Sequence, residues 1–122
     1  MAVARFEPAG GPIEVAVSCD PNRNGSYTII LWEANANEVV KKYPGNFLNT
    51  ADDEYSLDTP NAKHKGRLLE AMVVVAIPPG VGPSDVSMTV SQDGAELARD
   101  ERSVAPGSPG ALVDLFVELE SQ

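Results

Sequence analysis

Short runs rich in Val, Ile and Leu recur along this chain, and a cluster of Pro, Gly, Asn or Asp closes each one. That rhythm constrains the fold more than any other feature. Apolar residues alternate with polar ones in several runs, and a period of two belongs to a strand with one face buried. In residues 13–19, Ile13, Val15, Val17 and Cys19 share one face, while Glu14, Ala16 and Ser18 share the other. Residues 85–91 repeat the pattern with Val86, Met88 and Val90 inward. Residues 112–120 do so with Val113, Leu115, Val117 and Leu119 inward.

Further strands are expected at 27–34, at 38–43 and at 67–77, the last ended by Pro78-Pro79-Gly80. A short strand fits around Tyr55 and Leu57. Residues 95–104 follow the turn Gln92-Asp93-Gly94, whose hairpin chemistry favours a strand over a helix. Pro44-Gly45-Asn46 should break the third strand. Asn24-Gly25 reads as a hairpin signal, and 59–66 and 105–110 as loops. No crossover helices separate the runs, so a parallel α/β sheet is excluded. The expected fold is all-β: an antiparallel two-sheet β-sandwich of seven to eight strands in a single domain, 1–122. Residues 1–12, with Pro8, Gly10, Gly11 and Pro12, read as a loose N-terminal arm with a short edge strand at 3–6.

The strand spacing resembles immunoglobulin-like and fibronectin-type sandwiches in general architecture. The Cys…Trp…Cys set of true immunoglobulin domains is missing, because Cys19 is the single cysteine. The resemblance concerns architecture and implies no function.

Composition narrows the functional classes. A formal charge of −9 opposes binding to nucleic acid or an anionic membrane. Aromatics are 6% of the chain, so platforms for stacking sugars or bases have few candidates. Residues 1–11 lack the apolar core of a signal peptide, and no apolar run nears the ~20 residues of a membrane helix. With a lone cysteine, these features point to the cytoplasm, an exported domain being the alternative.

Asp20-Pro21-Asn22-Arg23-Asn24-Gly25 matches the opening of a calcium loop, where oxygens at alternate positions converge and Gly permits the turn. The bidentate Glu that should end the loop would fall on Leu31. A calcium site would therefore combine Asp20, Asn22 and Asn24 with Asp52, Asp53 and Glu54. The competing reading is a turn in which the side chains bond their own backbone. Lys41 and Lys42, with Lys63, Lys65 and Arg67, concentrate the positive charge mid-chain. They suit either a partner's acidic patch or protection of a strand edge. Phe116 faces outward between Asp114 and Glu118 and is a candidate partner contact. Trp32 ends a strongly apolar strand and reads as core. His64, between two lysines, reads as an exposed loop residue. The one His and the one Cys19 form no recognisable catalytic set, and no nucleophile or zinc motif is present.

These features lead to a non-catalytic β-sandwich module for interaction or assembly, with a protein partner or a homo-oligomer and no cofactor. The alternative is a module binding calcium or carbohydrate through its end loops.

Overall fold

The computed structural model describes residues 1–48, 52–107 and 110–122. Nine strands form two sheets that pack face to face. In chain order they are β1 (Ala2–Phe6), β2 (Ile13–Asp20), β3 (Gly25–Trp32), β4 (Val39–Asn46), β5 (Glu54–Ser56), β6 (Leu68–Val75), β7 (Ser84–Gln92), β8 (Ala95–Val104) and β9 (Ala111–Ser121). One sheet has five strands in the order β1-β9-β6-β3-β4. The other has four in the order β5-β2-β7-β8. The expected two-sheet sandwich is thus observed, with one or two more strands than the sequence spacing indicates. Among the described residues no helix is long and apolar enough to cross a membrane.

Alternation decides which residues meet between the sheets. Val15 and Val17 of β2, Val86, Met88 and Val90 of β7, and Leu115, Val117 and Leu119 of β9 are all fully buried. Ile29 and Leu31 of β3 and Leu69, Ala71 and Val73 of β6 complete the opposite wall. Phe47 fills the end of the core and stacks obliquely on Tyr27, with ring centroids 5.2 Å apart.

Several local expectations need correction. Residues 1–12 are not a loose arm: β1 pairs in parallel with β9, and Ala4 and Phe6 are fully buried. The following turn is clamped from two sides. The Gln92 amide donates to the Glu7 and Gly11 carbonyls and accepts the Glu7 N–H. The buried Asn61 amide donates to the Gly10 and Gly11 carbonyls.

Asn24-Gly25 does not turn a hairpin, because β2 and β3 lie in different sheets. The chain crosses over there, and Gly25 passes so close to β6 that a Cβ would lie 2.1 Å from the Val74 carbonyl oxygen. β4 runs through Pro44 and Gly45, since it is an edge strand with ladder bonds on one side only. The 59–66 loop contains a 3₁₀ turn, Asn61–His64. Asp93-Gly94 does form the expected hairpin, with φ of 52° and 79° as a type I′ turn requires.

Candidate functional site

The 20–25 loop is held together by the chain itself. The Asn22 amide nitrogen donates to the Ser84 hydroxyl and the Gly82 carbonyl, and the Asn22 carbonyl accepts from the Cys19 thiol. The Asn24 carbonyl accepts the Ala76 N–H. Arg23 reaches between two of the expected metal ligands. Its Nη2 lies 2.8 Å from Asp52 Oδ1 and its Nη1 3.5 Å from Asp20 Oδ1. The Asp52 hydrogen bond raises the Arg23 pKa further above its already high value. A guanidinium therefore stands between the carboxylates a calcium ion would need, and it also covers the Phe47 ring. Asp53 and Glu54 are exposed, with Glu54 in β5. Residues 49–51, at the start of the acidic stretch, lie outside the described residues. Among the described residues no three His, Cys, Asp or Glu side chains are grouped to hold a metal.

His64 and Cys19 are both buried, contrary to the exposed position expected for the histidine. His64 Nε2 lies 2.6 Å from the Asp58 carbonyl, which can only accept, so the ring proton is assigned to Nε2. Nδ1 then accepts from Arg67 Nη1 at 3.2 Å. Burial holds the imidazole pKa below its usual value, and the facing Arg67 contributes in the same sense. Arg67 is in turn paired with Glu33 at 2.8 Å. This is a structural strut, with the ring in its neutral form. Burial raises the Cys19 thiol and leaves it a poor nucleophile.

The outer face of the four-stranded sheet is mostly polar, with Ala16 among its lining residues. Ser18 and Asp20 of β2, Ser87 and Thr89 of β7, and Arg99 and Glu101 of β8 line a shallow depression of about 330 Å3. No aromatic ring lies among its lining residues, so a sugar would find no stacking surface.

The outer face of the five-stranded sheet is different. Register places Lys42, Ile30, Glu70 and Phe116 in one row across β4, β3, β6 and β9. The adjoining rows set Met72 beside Asp114 and Val74 beside Leu112. Trp32 belongs here rather than in the core: it is half-buried on this face, and its indole N–H donates to Glu70 Oε1 at 3.0 Å. Burial raises the Glu70 carboxyl pKa; the Trp32 bond opposes this, and a hydrogen bond with Asp114 adds to it.

Two of the three expected partner contacts, Phe116 and Lys42, thus share a face. Lys41 does not join them. Its ammonium lies 4.0 Å from Asp58 and 5.3 Å from the centre of the Tyr43 ring. The exposed apolar corner made by Met72, Val74 and Leu112 is not among the surfaces expected from the sequence. A signal for it is present, because these positions alternate with core residues and would be polar on a solvated face.

No family model matches this chain, and no curated protein or solved structure matches it either. The fold and its two contrasting outer faces define it as an all-β sandwich.

Proposed function

We propose that this protein is a non-catalytic interaction module that binds a protein partner through the outer face of its five-stranded sheet. One observation carries the reading. Leu112, Val74 and Met72 stay 60, 46 and 39% exposed in one corner, and half-buried Phe116 and Trp32 lie farther along the same face. Exposed apolar area collected in one place, on a face that also carries aromatics, is the usual mark of a protein contact. Charge favours a cationic partner. The face carries Glu70, Asp114 and Glu118 in a chain of net charge −9.

The test is a methyl NMR titration with a short cationic, valine-containing peptide. The Met72, Val74 and Leu112 methyls are expected to move, while the Thr89 methyl on the polar face stays put. Shifts confined to the polar face, or none on either, would remove the support for this surface.

A further inference from the structure

β9 has a ladder partner on both sides only at Val117 and Glu118. β6 runs beside all of Ala111–Glu118, whereas β1 covers only Val117–Ser121. On the β1 side of residues 111–116 no strand lies among the described residues. Strand alternation fixes which groups are affected. The Leu119 N–H bonds the Arg67 carbonyl and the Gln122 N–H bonds the Phe6 carbonyl. Odd residues of β9 therefore aim their main-chain groups toward β6, and even residues toward the β1 side. Leu112, Asp114 and Phe116 face this side, a lane where the described residues supply no ladder strand.

Phe116 shows what that lane is shaped for. A parallel ladder continued two residues upstream of Ala2 would bring a main-chain carbonyl to the Phe116 N–H. In its place, Asp100 of β8 reaches across, and its Oδ2 accepts that N–H at 2.8 Å. Burial alone would raise the Asp100 carboxyl; the Phe116 N–H and Arg102, 3.0 Å away, outweigh it and hold its pKa low. Beyond Asp100 the lane opens into a groove of about 260 Å3, lined by Arg102, Ser103, Leu112, Val113 and Asp114.

We infer that this lane accepts an extended, cation-bearing segment of the partner, which adds as a strand beside Leu112–Asp114. The inference rests on the interaction-module reading and specifies how the partner engages. Main-chain bonds to Leu112 and Asp114 would give affinity, and the flanking side chains would give selectivity. A guest residue opposite Leu112 is apolar, one opposite Asp114 is Lys or Arg, and the inward one between them is small, beside Ser103. A second copy fits poorly. Two β9 edges paired antiparallel about Asp114 would set that carboxylate against its own copy, and like charges directly opposite are destabilising.

The experiment adds the peptide acetyl-Val-Ser-Lys-Val-Thr-amide to the full chain and reads amide hydrogen exchange at Leu112 and Asp114. An extended variant carries Val-Ser-Lys-Val directly before Met1, in line with β1, where the effective concentration is high. Exchange at both amides is expected to slow by about tenfold or more in each case. Leu112→Pro should abolish protection by the peptide, since it removes a donor facing the lane and leaves the β6 ladder intact. Asp114→Lys should reverse the preference, toward a peptide with Glu in place of Lys. Fast exchange at both amides with peptide and extension alike overturns the strand inference. If the Met72 and Val74 methyls still shift, the face reading survives it; if they do not, both fail. Protection that grows with protein concentration alone would identify a second copy as the occupant and overturn the partner assignment.

Discussion

The two outer faces of this sandwich differ in composition, one mostly polar and the other mixing charged with exposed apolar residues. On the four-stranded sheet, Ser18, Ser87, Thr89 and Arg99 face outward, the composition of a surface meant to stay in water. On the five-stranded sheet the outward rows hold Ile30, Met72, Val74, Leu112 and Phe116 beside Lys42, Glu70 and Asp114. Both sheets carry the same kind of inner face, so folding alone does not require the second composition. Exposed Val and Leu leave apolar area in water and gain nothing for the core. The proposed interaction role rests on this difference.

The largest expected effect lies at the centre of each face. Ile30 and Ser87 are both nearly buried although they point outward, 6 and 7% exposed. Ile30→Ala should cost about 2 kcal/mol or more, because it removes apolar contacts under Trp32 and Glu70 that neighbours refill only in part. Ser87→Ala should cost less than about 1 kcal/mol, the range of one ordinary hydrogen bond. Urea unfolding of the two variants measures both. Equal losses would mean that the faces differ in composition but not in how they are packed.

A second contrast is one of pH. His64 is neutral in the folded protein and its pKa is lowered, chiefly by burial. The unfolded chain takes up that proton first, near pH 6.5, so folding stability should decline as pH falls below that value. Glu70, on the apolar face, has a raised pKa, again chiefly through burial. Its contribution has the opposite sign: it is present at low pH and lost as pH rises through the folded-state value. Between pH 7 and 5 the urea midpoint of His64→Gln should therefore fall less than that of the wild type. Glu70→Gln should be more stable than the wild type at pH 7, and this advantage should shrink toward pH 4. A Glu70→Gln variant that is less stable at pH 7 would show that the Trp32 bond outweighs the burial of charge.

How much of this is legible in the sequence follows from what alternation reports. Val86, Met88 and Val90, or Leu115 and Leu119, declare an inner face because every second residue is apolar. Alternation says nothing about which strands are neighbours. The parallel pairing of β1 with β9 joins the two ends of the chain, and no local signal in residues 2–6 announces it. The same limit applies to Asn24-Gly25, whose turn chemistry is equally good for a hairpin and for a crossing between sheets. Trp32 is misread as core because the run Ile29-Ile30-Leu31-Trp32 is apolar on both faces, and periodicity cannot choose between them. Phe116 is legible as outward-facing because its neighbours Leu115 and Val117 are unambiguous. The acidic and asparagine-rich loop suggests a metal site, but the residue that decides its chemistry is Arg23, which sits inside the motif at a position the calcium pattern leaves open.

That residue sets the smallest expected effect. A ligand that binds only the folded state raises its melting temperature, and raises it more the tighter it binds. In the wild type the Arg23 guanidinium already bridges Asp52 and Asp20. The Asn22 amide nitrogen is fixed on Ser84 and Gly82, and Asn22 and Asn24 offer only neutral oxygens, so calcium would have to compete with Arg23 for the carboxylates. Millimolar calcium should therefore move the melting temperature by less than ~1 °C, within the scatter of differential scanning fluorimetry. Arg23→Gln provides the informative arm. It removes the fixed positive charge between the carboxylates, while Asp20 still lies opposite Asp85 across the β2–β7 ladder. Like charges in that arrangement repel, so a cation should stabilise the variant more than the parent. A calcium shift of several degrees in the wild type would mean that the ion displaces Arg23, and that the polar side of the sandwich, rather than the apolar one, carries a ligand.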